Sequence, residues 1–282
     1  MQVQAQIKLS FNPVKGEKYV YLSKSEQAIK QTVMGKEIPV NVGMDLLYEM
    51  IVKEKSENEI SVECTYKEMV FAVSNSMMNL KYDSKNPVEN PSEIEKLLPQ
   101  VFSSLIGKTI RITFAPDGSV KSLSGFKAIM EEMLKTASTA NPAAQQMTNG
   151  LLQSFSDEAM KTSFEQSYKI YPDKEVKVGA NWTGDFSNSI GGMDSKIETT
   201  YTLKEVKNNI ARIEGVSSFI LNPGMGMEGE LSGEQQGEIN LDTKTGMLVH
   251  STLTQNSKGK FNAQGTEILM DIVSKTTLGL QE

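Results

Sequence analysis

Few side chains in this sequence are of types that carry catalysis by themselves, and their neighbours decide what each can do. His250 is the sole imidazole, hence the sole candidate for a histidine general base near neutral pH. It sits in Met247-Leu248-Val249-His250-Ser251-Thr252, a strand-like run. A Ser-His-Asp arrangement needs a nucleophile and an orienting acid beside the imidazole, and nothing in the sequence places them there. The expectation is a histidine on a sheet surface. Cys64, the one cysteine, alternates with apolar neighbours and reads as a small buried hydrophobe, not a thiolate nucleophile. One cysteine and one histidine cannot build a Cys/His zinc site, and no intrachain disulfide is possible. The 35 acidic residues are numerous enough for carboxylate chemistry, but no pair stands out from a solvated background.

Three glycine patterns point at nucleotide or metal sites and fail on context. Gly224-Met225-Gly226-Met227-Glu228-Gly229 fits G-x-G-x-x-G, yet a dinucleotide loop needs a buried strand before it and a helix N-terminus after it. Here Asn222-Pro223 precedes and the polar Glu230-Leu231-Ser232-Gly233 follows, which predicts a loop at 222–229 between strands. Gly107-Lys108-Thr109 looks like the end of a phosphate-binding loop, but position 102 is Phe and the residues after Lys108 alternate as a strand. Asp242-Thr243-Lys244-Thr245-Gly246 lacks the alternating oxygen ligands of a calcium loop and reads as a hairpin turn. Asn181-Trp182-Thr183 is a glycosylation sequon by pattern, meaningful only in a eukaryotic secretory context. The expectation is therefore a protein that is not an enzyme, with no cofactor and no metal.

The elements that would position any site are mostly strands. Glu59 to Tyr66 alternates, with Ile60, Val62, Cys64 and Tyr66 on one face; Gly107–Phe114, Thr200–Leu203 and Glu238–Leu241 do the same, the period of half-buried strands. Helical signals concentrate in the middle. Asn90-Pro91-Ser92-Glu93 reads as a helix start, followed by Ile94, Leu97, Leu98, Val101, Phe102 and Leu105 at helical spacing. A second stripe runs Phe126, Ile129, Met130, Met133, Leu134, Ala137, and a third helix is expected within 143–168, with Phe155 and Met160 on its apolar face. The 16 methionines, several on these stripes, suit ordinary core filling or an adaptable apolar pocket.

Composition narrows the partners. Hydrophobic residues make up 38% and charged residues 23% of 282 residues, enough for a large core. A net charge of -6 without a basic stripe excludes phosphate-backbone binding as a leading function, so no nucleic acid is expected. No apolar run approaches the roughly 20 residues of a membrane-spanning helix, so no transmembrane segment is expected. Met1 leads into a polar, glutamine-rich stretch that looks like a tether, not a signal peptide or a core element.

Two halves of the chain echo each other. Gly16-Glu17-Lys18-Tyr19 matches Gly179-Ala180-Asn181-Trp182, glycine followed by an aromatic three residues on. Val52 through Glu63 matches Leu203 through Glu214, each running strand, polar turn, strand. Ile112 through Val120 matches Ile239 through Leu248, each with glycine closing a hairpin. Three correspondences in one order point to a duplication, against the plain alternative that any two β-meanders share turn chemistry. The first β unit would be 7–125 with a helical insertion at 91–106, the connector 126–170, and the second unit 171–282, all within one domain 1–282.

Val14–Tyr19, Tyr171–Trp182 and Asp242–Gly246 together resemble a domain-of-unknown-function family of Gram-negative envelope proteins, many with lipoprotein signals. Pro172-Asp173-Lys174-Glu175-Val176-Lys177-Val178-Gly179-Ala180-Asn181-Trp182 is the most specific part. The order of elements also looks like the half-barrel lipoprotein-carrier group, in which a curved antiparallel sheet wraps helices around an apolar cavity; that link is an analogy of fold. The resemblance implies a periplasmic or outer-membrane-anchored protein whose signal was removed; a cytoplasmic location is the alternative. The lipidation cysteine of a lipoprotein is missing here, so it either lay upstream or this member is soluble. No catalytic residues are assigned to that family.

The expected fold is α+β and mostly antiparallel β: a duplicated β-meander forming a large, half-barrel-like curved sheet with about three helices on one side. The expected function is non-catalytic binding of a lipid or other hydrophobic small molecule in a cavity between sheet and helices, with Phe126, Met130, Met133, Phe155 and Met160 lining it. The alternatives are a fully packed structural or interaction module presenting loop 222–229 to an envelope protein partner and, third, a hydrolase.

Overall fold

Alternation of apolar and polar residues builds most of the molecule. The computed structural model describes residues 6–92, 95–138, 157–190, 193–222, 227–263 and 265–281. Among them, twelve strands form one open, curved antiparallel sheet: β1 Lys18–Val33, β2 Lys36–Lys55, β3 Ile60–Asn75, β4 Asn79–Asp83, β5 Thr109–Phe114, β6 Val120–Ser124, β7 Asn181–Ile190, β8 Met193–Lys207, β9 Ile210–Asn222, β10 Met227–Asp242, β11 Leu248–Ala263 and β12 Thr266–Gln281. The order across the sheet is β6-β5-β3-β2-β1-β12-β11-β10-β9-β8-β7, with β4 pairing onto β3. The sheet thus has two wings, β1–β6 and β7–β12, sewn together by the β1–β12 ladder from Val20↔Gln281 to Val33↔Ile268.

Among the described residues the helices are α1 Leu98–Phe102, α2 Phe126–Ser138 and α3 Asp157–Tyr168. Strands β6 and β7 are the edges of the sheet, and α3 packs against both, so it spans the gap where the curved sheet fails to close. The backbone N–H of Val120 donates to Glu165 Oε1 at 3.0 Å, and Trp182 Nε1 donates to the Ile170 carbonyl at 3.0 Å, tying the helix and its exit to both edges.

Each wing opens on the same backbone device. Gly16 and Gly179 both have φ +87°, a left-handed conformation that glycine adopts without steric cost. The Gly16 N–H donates to the Val52 carbonyl (2.8 Å) and the Val52 N–H to the Glu17 carbonyl (3.1 Å). In the second wing Gly179 N–H donates to the Leu203 carbonyl (2.7 Å) and Leu203 N–H to the Ala180 carbonyl (3.0 Å). A register shift follows each at the same place, between Val52 and Glu54 and between Leu203 and Glu205. The hairpins of both wings also close on a positive-φ glycine, Gly118 donating to the Ala115 carbonyl and, in a turn one residue longer, Gly246 to that of Asp242.

The chain leading into each wing crosses the base of the molecule. Ile7 and Val176 pair as an antiparallel bridge. Phe11 N–H donates to Pro116 of the first wing, and Asn12 N–H to Thr245 of the second. Phe11 lies fully buried, 4.8 Å from the Phe114 ring and 5.4 Å from that of Tyr168. Tyr21 Oη donates to the Leu248 carbonyl at 2.9 Å and Tyr171 Oη to that of Gly246 at 2.8 Å. The Tyr21 hydroxyl therefore ties the first wing to the second, and the Tyr171 hydroxyl ties the second wing's lead-in to its own hairpin, where both rings fill the core.

Several expectations are corrected. Residues 1–5 of the glutamine-rich start lie outside the described part, and directly after it Leu9 and Phe11 are core residues. Instead of about three helices, two of real length occur among the described residues, α2 and α3. The expected helix 91–106 shrinks to a 3-10 turn at Glu95–Leu97 and the five-residue α1. Pro99 explains this, since a proline fits only the first turn of a helix. Asn90 is not the cap either; it adopts φ +55°, and Ser92 forms the capping box, its Oγ accepting from Glu95 N–H while its N–H reaches Glu95 Oε2. The predicted loop 222–229 is shorter, because β10 already begins at Met227.

Outward faces carry ion pairs. Glu49 meets Lys18 (3.4 Å) and Lys67 (3.1 Å), and Glu63 meets Lys53 (3.3 Å) and Arg111 (2.8 Å). On the second wing Lys204 meets Glu214 (2.8 Å) and Arg212 meets Glu238 (3.3 Å). A lipid-facing barrel surface needs an apolar band, and each Lys or Arg at its midplane costs about 2–4 kcal/mol. These faces are built for water. No helix among the described residues is long and apolar enough to cross a membrane.

Candidate functional site

Above the aromatic base, the curved sheet and the helices enclose a cavity of about 490 Å³, within the range of about 300–1,000 Å³ typical of small-molecule sites. Its position follows from side-chain parity. On β2 the even positions Met44, Leu46 and Tyr48 point inward, and Cys64, Tyr66 and Met69 of β3 continue that wall. Helix α2 contributes Phe126 and Met130, and α3 contributes Met160 and Phe164. Phe102 of α1 packs against Phe71 and Tyr82, at 5.2 and 5.4 Å between centroids, and closes a corner.

The opposite wall comes from β7–β12 and is mixed: Phe186, Ile197, Ile239, Leu253 and Leu278 are apolar, and neutral polar groups stand between them. Thr199, Ser217, Gln235, Ser251 and Thr276 all line the cavity. Thr199 Oγ1 and Ser217 Oγ share a hydrogen bond of 2.9 Å, Gln235 Nε2 donates to Gln255 Oε1 at 2.8 Å, and Thr276 Oγ1 donates to Ser25 Oγ at 3.2 Å. Between them Gly215 and Gly237 leave the backbone bare on the inner face. At Gly237 a Cβ would lie 2.7 Å from the Thr252 carbonyl oxygen of the neighbouring strand, so the sheet bends there more tightly than a side chain permits.

Burial sets the chemistry of the ionisable groups. Desolvation pushes the Cys64 thiol up to about 12 and the Tyr201 phenol also to about 12. Tyr48, Tyr66 and Tyr168 are pushed up too, chiefly by burial. All stay protonated at neutral pH, so Cys64 is no thiolate and none of these groups is a base. Tyr168 Oη instead contacts Met50 Sδ at 3.1 Å beneath the cavity.

Of the five residues expected to line a cavity, Phe126, Met130 and Met160 do so. Met133 lies on α2, but its side chain is outside the described part, as is Phe155 altogether. The sequence pattern alone does not single out the inward residues of the sheet. A signal for them exists: parity carried back from buried Leu203 and Tyr201 reaches Thr199, and from Leu241 and Ile239 reaches Gly237 and Gln235.

The rejected motifs stay apart from the cavity. His250 stands on β11, exposed and facing outward. Gly224 and Gly226 lie outside the described residues, while Gly229 sits within β10, so no helix N-terminus follows the glycine pattern. Gly107 precedes β5, and Lys108 pairs with Glu132 at 2.7 Å. Asp242 Oδ1 accepts from the backbone N–H groups of Lys244 and Thr245, the bonds of a turn. No group of three or more metal-ligating side chains occurs among the described residues.

Comparison with known proteins yields one family and distant structures. A search of curated proteins finds no match. Among solved structures, a lipovitellin chain, described for its lipid–protein interactions, aligns over 96% of this chain with 9% identity and a TM-score of 0.49; this chain spans 25% of its length. The outer membrane protein OprG from Pseudomonas aeruginosa aligns over 95% of this chain and 97% of its own, with 6% identity and a TM-score of 0.25. The translocator domain of autotransporter NalP from Neisseria meningitidis aligns over 93% and 88%, with 8% identity and a TM-score of 0.23. These are large β-sheet proteins, and at such scores the likeness carries no functional argument. Residues 57–248, more than half of the chain, match the family of unknown function DUF6263, and the chain belongs to that family.

Proposed function

We propose that this chain is a non-catalytic protein of the cell envelope that holds a lipid or another apolar small molecule between its curved sheet and helices. The observation that carries the reading is the cavity of about 490 Å³ above a fully packed base. Interiors are close-packed by default, so a void of this size forfeits contacts unless something occupies it. Its first wall, from Met44 to Met160, offers apolar and polarizable side chains that gain about 25 cal/mol for each Å² of ligand surface removed from water. The absence of catalysis rests on the outward-facing His250 and on the high pKa of Cys64. The envelope location rests on the resemblance at Pro172–Trp182, and the ion-paired outer faces suit its aqueous side.

A packed interaction module fits less well. On the outer face of β8–β12 exposed Val216 and Leu269 stand among polar residues, and Ile220 and Val273 line a hollow that Lys196, Glu198, Glu234, Lys258 and Asp271 make strongly charged, which does not form a broad apolar patch. The test is direct: protein purified without detergent is extracted with organic solvent, and the extract is analysed by mass spectrometry. An apolar compound near one equivalent per chain is expected, with an uncharged fluorescent dye taking its place in the extracted protein. Ligand-free protein that also fails to enhance dye fluorescence would refute the reading.

A further inference from the structure

We propose that the cavity selects uncharged lipids with a hydroxyl, ester or amide head and rejects ionised ones such as fatty-acid carboxylates and phospholipids. This rests on the ligand-binding reading above and narrows it to a chemical class. The two walls divide the work. The wall of Met44, Leu46, Met69, Phe126, Met130 and Met160 is apolar and suits a hydrocarbon tail. The facing wall sets neutral hydroxyls and an amide, from Thr199, Ser217, Gln235, Ser251 and Thr276, among apolar Ile197, Ile239 and Leu278.

The described lining contains no Asp, Glu, Lys, Arg or His. The charges of the sheet lie on its outward faces and are engaged with each other, as in Lys204–Glu214 and Arg212–Glu238. An ionised head would lose its water without gaining a counter-charge, a far larger penalty than a hydroxyl meets when hydrogen-bond partners await it. Such partners exist. Gln235 spends one N–H on Gln255, and a primary amide holds a second N–H and a carbonyl oxygen besides. The Thr199–Ser217 pair shares one proton between two hydroxyls, so the remaining proton and lone pairs can meet a polar head. A head with both donor and acceptor character matches this wall better than a pure acceptor bearing charge.

The experiment uses the full chain and three probes with one tail: oleyl alcohol, monooleoylglycerol and oleate. Each displaces an uncharged naphthylamine dye at pH 9, where the carboxylate is ionised. The two neutral probes are expected to displace at concentrations at least about tenfold below oleate, a difference of about 1.4 kcal/mol. Oleate should strengthen as the pH falls towards 6 while oleyl alcohol stays constant. Gln235→Leu is expected to weaken monooleoylglycerol about three- to tenfold with dye affinity unchanged, and Thr199→Val serves as a second variant. Equal displacement by oleate and oleyl alcohol at pH 9 would overturn the selectivity and leave the cavity reading standing. Unchanged monooleoylglycerol affinity in both variants would overturn the placement of the head. Failure of all three probes to displace bound dye would overturn this inference and leave standing only a site for other apolar molecules, whereas protein that binds no dye at all would overturn the binding function as well.

Discussion

The first wing and the second share a backbone plan and differ in what they point inward. Their entry turns, at Gly16 and Gly179, make the same hydrogen bonds, and their register shifts fall at equivalent strands. Below the cavity both contribute to one aromatic and aliphatic core, with Met50, Val52 and Ile112 from the first wing and Leu203, Ile213 and Leu241 from the second. Above it they part. The first wing turns mainly Met44, Leu46, Tyr48 and Met69 inward, whereas the second intersperses Thr199, Ser217, Gln235 and two glycines among Phe186, Ile197, Ile239 and Leu278. The base is constrained by packing against both lead-in segments, which fixes its side chains. The upper walls face the cavity and are free of that packing constraint. Both units would derive from one duplicated ancestor on this view, with the helices between them added on one side.

The strongest challenge to this division is alkaline pH. Tyr21, Tyr48, Tyr66 and Cys64 of the first wing and Tyr201 of the second are buried neutral, with pKa values raised by desolvation. Each holds its proton more tightly folded than unfolded, so its stabilising contribution is complete below the ordinary thiol and phenol values of 9.0 and 10.0 and is lost as pH climbs toward about 12. Tyrosinate absorbance and circular dichroism should change together in a single step within that window. Two separate steps would show that the wings do not share a base. Next in size is Phe11→Ala, expected to destabilise by about 3–5 kcal/mol in denaturant titration, because its ring touches Phe114 and Tyr168. A loss below about 1 kcal/mol would return this segment to the status of a tether.

Glycine pairs sharpen the equivalence of the wings. Gly16 and Gly179 have identical φ values and open space where a methyl group would stand, so alanine at either should cost about 1–2 kcal/mol, equally in both. Gly118 and Gly246 also have positive φ, but there a Cβ would collide with the carbonyls of Tyr168 and Ser10 respectively. Alanine should cost about 2–4 kcal/mol at each, strain and overpacking combined. Thermal unfolding of the four variants would rank them, and unequal costs within a pair would break the shared plan. The smallest effect concerns the polar wall. Thr199→Val leaves the Ser217 hydroxyl without its partner and should cost about 1–2 kcal/mol, while adding Ser217→Ala should cost less than the sum of the two. An additive double variant would mean that the pair does not act as a unit.

How far the sequence predicts this arrangement depends on the element. Ile60, Val62, Cys64 and Tyr66 alternate with polar residues, and all four are buried, since period two survives wherever one face meets a core. The stripe Phe126–Met130 announces α2 for the same reason at helical period. The short α1 is obscured because Ile94, Leu97, Leu98, Val101 and Phe102 keep helical spacing although Pro99, which fits only a first turn, prevents one continuous helix from running through residues 95–102. The lead-in is obscured because glutamines precede Leu9 and Phe11, which are too few to form a pattern. The polar wall is hidden by the alternation rule itself. That rule assigns Thr199, Ser217 and Gln235 to solvent, whereas strand parity with Leu203, Ile213 and Leu241 points them inward.

The neutral polar cluster of Thr199, Ser217 and Gln235 on the second wing faces apolar Met69, Phe126 and Met130 across a cavity whose described lining carries no charged side chain. A crystal structure of the full chain bound to a monoacylglycerol brominated along its tail tests this arrangement most directly. Anomalous density is expected beside Met69, Phe126 and Met130, with the glycerol oxygens within hydrogen-bond distance of Gln235 or the Thr199–Ser217 pair. Density on the outer face of the sheet, or a cavity filled by repacked side chains, would contradict it.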